Sequence, residues 1–195
     1  MKIILASKSE IRKKILEENK INCEVHISNV DEDQIKESLI LDGASPLIIS
    51  KNLAELKSLK ISNKFPEQLV LGADSVVSLK NKIIDKPRSR GEALEILKRL
   101  NNSEHYLISS ACISKNGSMI WNCSDKSELI MKNLKESELK IYLEKIKTET
   151  LLNYGVYQIE AGGMSLFKSV KGDKNSIMGL PIKQIINYIN QYNND

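Results

Sequence analysis

Leu69-Val70-Leu71-Gly72-Ala73-Asp74 is an apolar run that stops at a carboxylate. A short continuous apolar run bounded by turn-forming residues reads as a buried strand, here ending at Gly72-Ala73-Asp74. A carboxylate at the C-terminal end of such a strand sits where open α/β sheets place their ligands. Gly72 and Ala73 leave room for a ligand to approach the backbone, although an Asp there is equally a plain turn cap. Downstream, Val76–Leu79 and Lys82–Ile84 flank Lys80-Asn81 as a hairpin. Lys86-Pro87 follows that excursion and would return a cation to the same mouth.

Outward from this centre the pattern alternates strand and helix. Lys2–Ala6 reads as a buried strand running into a polar turn, and Ser9 as the N-cap of a helix with Ile11, Ile15 and Leu16 on one face. Glu24–Ser28 alternates like a strand. Ser45-Pro46 opens a helix to about Lys60, and Ser89-Arg90-Gly91-Glu92 is a capping box for one ending at Leu100. Asn116-Gly117 joins His105–Ser114 to Ser118–Cys123 as a second hairpin, with Glu128–Met131 continuing the sheet. A helix over Ser137–Lys147 follows, its apolar register loose. Gly155–Glu160 reads as a strand, Gly162-Gly163 as a turn, and Met164–Val170 as a short helix or an extended segment. Gly172-Asp173 with Ile177–Pro181 makes a tight loop before a last helix opened by Pro181. Its Ile182, Ile185, Ile186 and Ile189 suit packing either internally or against a second copy in a homodimer. Strand–helix units interrupted by hairpins imply an α/β fold with a mixed sheet flanked by helices, as one domain over 1–195.

Composition narrows the function classes. The chain has 195 residues, 41% hydrophobic and 28% charged, enough to bury about 70% of its unfolded surface without a disulfide or metal staple. Lys and Arg number 29 against 25 Asp and Glu, but the arginines are only Arg12, Arg88, Arg90 and Arg99, and aromatics make up 5%. Base reading leans on arginine and single-strand binding on stacked aromatics, so no nucleic-acid partner is expected. No apolar run approaches the ~18 residues of a membrane span, and Ile3–Ala6 is too short for a signal-peptide core. A cytoplasmic protein without a membrane partner is expected. Cys23, Cys112 and Cys123 show no metal-ligand or disulfide spacing.

Three places carry candidate chemistry. The turn Ser7-Lys8-Ser9, leading into a helix with Arg12 and Lys13, presents hydroxyls, backbone N–H groups and a helix dipole to an anion. Read blandly, it is an ordinary N-cap beside exposed basic residues. Asp74 is the second. The acidic run Asp31-Glu32-Asp33 is the third: usually a solvated loop, it also offers hard oxygen ligands to a divalent cation. Lys57 on its helix is by default a surface lysine. His26 and His105 each stand alone, so a nucleophilic triad has no support.

In order and spacing these pieces resemble the Maf family of nucleoside triphosphate pyrophosphatases over essentially the whole chain. The matching motifs are Leu5-Ala6-Ser7-Lys8-Ser9 with Arg12-Lys13, Asp31-Glu32, Leu53-Ala54-Glu55-Leu56-Lys57 and Gly72-Ala73-Asp74-Ser75-Val76. They continue through Lys86-Pro87, Gly155 to Glu160, and Gly172-Asp173 with Gly179-Leu180-Pro181. The resemblance implies an elongated mixed sheet with two lobes and a central cleft. It implies a house-cleaning reaction in which a nucleoside triphosphate is hydrolysed to the monophosphate and pyrophosphate with a divalent metal, Mg²⁺ or Mn²⁺. In that reading Asp74 is the general base and, with Glu32, a metal ligand. Ser7, Ser9, Arg12, Lys13, Lys57, Ser75 and Lys86 bind the triphosphate, and Glu160 the base.

The chain departs from the family pattern in three places. Lys13 stands where Arg is common and Ser75 where many members have Thr. Ile159-Glu160-Ala161 stands where the common branch has Ile-Gln-Gly, and Tyr157–Glu160, with Ser110-Ala111 and the Trp121 hairpin, looks closer to the branch associated with 7-methyl-GTP. That branch typically has Gln at the Ser75 position. A dTTP/UTP pyrophosphatase of the same family and a non-catalytic nucleotide-binding regulator of cell division are the alternative readings.

Overall fold

A computed structural model of the chain describes residues 2–159 and 162–194. Seven strands form one mixed sheet in the order β2-β1-β3-β5-β6-β7, with β4 paired to β3. They are β1 Lys2–Leu5, β2 Asn22–Val25, β3 Val70–Leu79, β4 Lys82–Ile84, β5 Glu104–Lys115, β6 Ser118–Met131 and β7 Phe167–Lys171. The helices are α1 Glu10–Glu18, α2 Glu32–Leu41, α3 Pro46–Ser62, α4 Arg90–Leu100, α5 Glu136–Glu144, α6 Thr148–Tyr154, α7 Lys174–Ile177 and α8 Ile182–Tyr192. The α/β class with a mixed sheet is therefore as the sequence implies.

The chain divides into two compact units: Met1–Ser75 with Ile108–Lys126 and Asp173–Asp195, and Val76–Leu107 with Ser127–Gly172. In the first, β1 runs parallel to both β2 and β3. Its core gathers Ile3, Leu5, Ile15, Leu16, Leu71 and Ile113. Ile182, Ile185 and Ile189 of α8 lie buried in that same core, so the isoleucine stripe packs internally. In the second, α4, α5 and α6 pack Ala93, Leu97, Leu139, Leu143 and Leu151 with Leu129 and Phe167.

Local signals were mostly reliable. Ser9, Ser45 and Ser89 each cap their helix by accepting a backbone N–H with the side chain. Lys80-Asn81 and Asn116-Gly117 take the positive φ angles that two-residue hairpin turns require. At Ser89 the box is only half made, because the Glu92 carboxylate accepts from Arg88 N rather than Ser89 N.

Several boundaries differ, each for a tertiary reason. β3 does not end at Asp74 but continues to Leu79. Gly72 and Asp74 are poor strand formers that contacts with α3 hold in the strand. The strand expected at Glu24–Ser28 is β2, which starts two residues earlier and ends at Val25, in register with Lys2–Leu5 of β1. Glu128–Met131 is the end of one unbroken β6. The helix expected over Ser137–Lys147 is α5, which stops at Glu144, and a separate α6 follows from Thr148. Arg90 closes the break by donating to the carbonyls of Leu143 and Ile146 and to Thr148 Oγ1.

No strand forms over described residues 155–159: Gly155 leaves α6 at φ +94°, and Gln158 O instead accepts Gly163 N at 2.8 Å. Residues 164–170 combine both expected forms, one 3₁₀ turn over Gly163–Leu166 and then β7 antiparallel to β6. The acidic run Asp31-Glu32-Asp33 is no solvated loop. Asp31 caps α2, a helix absent from the sequence reading, with Glu32 and Asp33 in its first turn.

Candidate active site

Residues 72 and 74 of β3 point to the same face, since side chains alternate along a strand. Gly72 lets α3 come close: a Cβ there would lie 2.1 Å from Ala54 O and 2.7 Å from Ser58 N. On α3 the buried positions Ile49, Leu53, Lys57 and Ile61 recur every four residues, so Lys57 lies on the stripe aimed at the strand. Its ammonium reaches Asp74 Oδ1 at 2.7 Å and Glu32 Oε1, from the first turn of α2, at 2.9 Å. Lys57 and Asp74 are each only 5% exposed, so Lys57 is not the surface lysine its type implies. Asp74 Oδ2 is buried and has no hydrogen-bond partner, an arrangement that calls for one when bound to something.

Beside this ion-paired trio lies a second set centred on Arg12. Its Nε donates to Gly179 O at 2.9 Å, Nη1 to Ala73 O at 2.9 Å and Ser7 Oγ at 3.2 Å, and Nη2 to Ser75 Oγ at 3.2 Å. Four of the five guanidinium N–H groups are thus committed to the protein, leaving one on Nη2. Burial pulls Arg12 below its usual range, while the charges of Asp74 and Glu32 push the other way. Arg12 thereby ties the Ser7 turn, β3 and the Gly179 turn together. Ser7 Oγ accepts from both Arg12 and Ser9 N, which leaves its own hydroxyl proton for another acceptor.

The other expected residues are placed differently. Ser9 Oγ caps α1 by accepting Arg12 N at 3.4 Å. Lys13 faces Glu17 at 3.8 Å along the surface of α1, with its side chain 40% exposed. Lys86 is exposed in the second unit, between β4 and α4. Glu160 lies outside the described residues. The structure therefore brings together Glu32, Lys57 and Asp74 as one set and Ser7, Arg12 and Ser75 as another, and the bond between residues 74 and 75 joins the two.

Sequence reasoning gave no site role to the hydroxyls behind these sets, and of them named only Ser110. Ser50 Oγ lies 3.3 Å from Asp74 O and 2.8 Å from Ser110 Oγ, while Ser109 Oγ lies 2.8 Å from Ser75 Oγ and donates to Ser176 O at 2.7 Å. Their signal was visible: Ser109 and Ser110 interrupt the apolar run Leu107–Ile113, and hydroxyls are expensive to bury without partners.

Among the described residues no three His, Cys, Asp or Glu side chains converge as a metal cage. Mg²⁺ is ordinarily held by one or two carboxylates plus substrate phosphates. The unpartnered Oδ2 of Asp74 with Glu32 beside it fits that donor set.

Comparison with known proteins agrees with the order of these motifs. A protein of Pelagibacter ubique named nucleoside triphosphate pyrophosphatase is 60% identical over 187 residues, covering 96% of each chain. One of the same name from Ruegeria sp. (strain TM1040) is 36% identical over 96% of this chain and 94% of its own. A 7-methyl-GTP pyrophosphatase of Rhizobium etli is 32% identical over 95% and 93%. The model of the family described as Maf-like protein matches residues 2–192, and the chain belongs to that family.

Proposed function

We propose that the protein hydrolyses a nucleoside triphosphate between its α- and β-phosphates, giving the monophosphate and pyrophosphate. The observation that carries this reading is Asp74: one oxygen is locked to a buried lysine and the other is buried without a partner. The names of relatives aligned over nearly the whole chain support it. Asp74 takes the proton of the attacking water through Oδ2, while Lys57 prevents the carboxylate from turning away. Charge that builds on the departing pyrophosphate is met by the remaining Arg12 N–H, the Ser7 hydroxyl and Lys13. Asp74 and Glu32 would hold a divalent cation, Mg²⁺ or Mn²⁺. When bound, that ion supplies positive charge against the triphosphate oxygens.

The finer reading is a guanine-like base, 7-methyl-GTP in particular. The Rhizobium etli relative carries that name, and Glu160 stands where the common branch of the family has Gln. A carboxylate there accepts two hydrogen bonds from the N1 and N2 edge of guanine, whereas uracil and thymine present a repelling carbonyl. A dTTP or UTP preference is the outcome that would overturn this reading.

The test is pyrophosphate release from 7-methyl-GTP, UTP, dTTP, GTP and ITP with Mg²⁺ or Mn²⁺. Wild type is expected to turn over one or a few of these. Asp74→Asn is expected to lose at least ~100-fold in kcat, the scale of a general base, while its circular dichroism stays native. Full activity in Asp74→Asn would remove the assigned base. Glu160→Gln is expected to narrow the preference for 7-methyl-GTP over UTP, and an unchanged ratio would show that Glu160 does not read the base.

A further inference from the structure

Hydroxyl protons around Arg12 can be assigned from acceptor chemistry alone. Ser176 O is a carbonyl and only accepts, so Ser109, 2.7 Å away, spends its single proton there. The contact between Ser75 and Ser109 at 2.8 Å then needs its proton from Ser75. Ser75 also lies 3.5 Å from Gly179 O, a much weaker alternative. With its proton turned toward Ser109, Ser75 presents only lone pairs to Arg12 Nη2. The circuit closes through the backbone: Gly179 N donates to Ser176 O at 3.0 Å, and Gly179 O accepts Arg12 Nε at 2.9 Å. Ser109 and Ser176 are essentially fully buried, so water does not compete for these bonds. Gly179 closes the ring at φ +105°, and a Cβ there would lie 3.3 Å from Ser75 Oγ.

We propose that Ser109 is a positioning residue for the reaction: by directing the Ser75 proton inward and bracing the Ser176–Gly179 turn, it holds the Arg12 guanidinium in one orientation. Ser75 accordingly orients Arg12 and donates nothing to the substrate, although its place beside Asp74 makes it look like a substrate ligand. The inference deepens the pyrophosphatase reading and rests on it for its catalytic consequence, not for the geometry.

The experiment compares wild type, Ser109→Ala, Ser109→Thr, Arg12→Lys and the Ser109→Ala/Arg12→Lys double variant. The first readout needs no activity: side-chain ¹⁵N–¹H NMR of arginine, with Arg12 assigned by its loss in Arg12→Lys. Wild type and Ser109→Thr should show separate, slowly exchanging Arg12 Nη resonances, which Ser109→Ala merges. Separate resonances surviving in Ser109→Ala would overturn the assignment. The second readout is kcat/KM for pyrophosphate release. Ser109→Ala should lose about tenfold, Ser109→Thr should recover most of it, and the double variant should be no worse than Arg12→Lys alone. Additive losses would mean that Ser109 acts on something other than Arg12. A wild type that hydrolyses no nucleotide would sink the pyrophosphatase reading and leave the NMR result to decide the positioning.

Discussion

Lys57 shows how burial changes what a residue is. An exposed lysine near two carboxylates contributes little, but this one is almost fully enclosed between Asp74 and Glu32. Removing one partner of a buried pair leaves the other charge uncompensated, at a cost of ~3–5 kcal/mol. Lys57→Met is therefore expected to lower the unfolding free energy by about 3 kcal/mol, read from urea titration. Equal midpoints for the two proteins would show the trio to be neutral for stability. His105 makes a second residue-level case. It is fully buried, its Nε2 meets Tyr157 OH at 3.0 Å, and burial pulls its pKa from 6.5 to about 4. Between those values the unfolded chain takes up a proton that the folded one refuses, so stability is full above pH 6.5 and falls as pH drops toward 4. The fall from this group is about 3 kcal/mol. His105→Gln, compared with wild type by urea unfolding at pH 7 and pH 4.5, should lose that part of the slope; parallel curves would contradict it.

At the scale of elements, the approach of β3 to α3 is what assembles the site. Gly72 has no side chain to hold the helix away, and the atoms a Cβ would strike are backbone of α3, which cannot swing aside. Gly72→Ala should cost ~1–3 kcal/mol as overpacking and should lower turnover by separating Lys57 from Asp74. Native stability with native kcat in that variant would disprove the close approach. The Ser45 cap belongs to the same helix, and Ser45→Ala should cost ~1 kcal/mol in thermal unfolding. Caps and hairpin turns were legible because their chemistry lies within four residues. α2 was missed although its cap is just as local, Asp31 accepting Gln34 N at 3.0 Å: none of its residues is buried, so no apolar stripe marks the helix. The stop of α5 at Glu144 was hidden for another reason: the group that binds the freed carbonyls, Arg90, lies more than fifty residues upstream.

For the whole molecule, the basic excess of +4 accompanies a site whose cations are largely engaged by protein groups, which favours a small polyanion arriving with its own cation over a nucleic-acid duplex. Mg²⁺ at about a hundred times its Kd should add ~2.7 kcal/mol to stability through linkage. Thermal unfolding with Mg²⁺ and with chelator should reveal that rise in wild type and its loss in Asp74→Asn; a shift that survives the substitution would place the ion elsewhere. Among the described residues no helix is long and apolar enough to cross a membrane.

What the sequence determined by itself was local and ordered: the α/β class, the serine caps, both two-residue hairpin turns and the succession of motifs that marks the family. Those follow from propensities and hydrogen bonds that close within a few residues, together with the order of residue types along one chain. What only the tertiary structure decided was the state of each side chain at the site. Arg12 was legible as a cation near Ser7, yet its partners are spread from Ser7 to Gly179. Lys57 and Asp74 were legible as charges, but their 2.7 Å contact exists because a glycine on one element admits another. Burial and pairing depend on which distant segments meet, and that is settled by packing the whole chain.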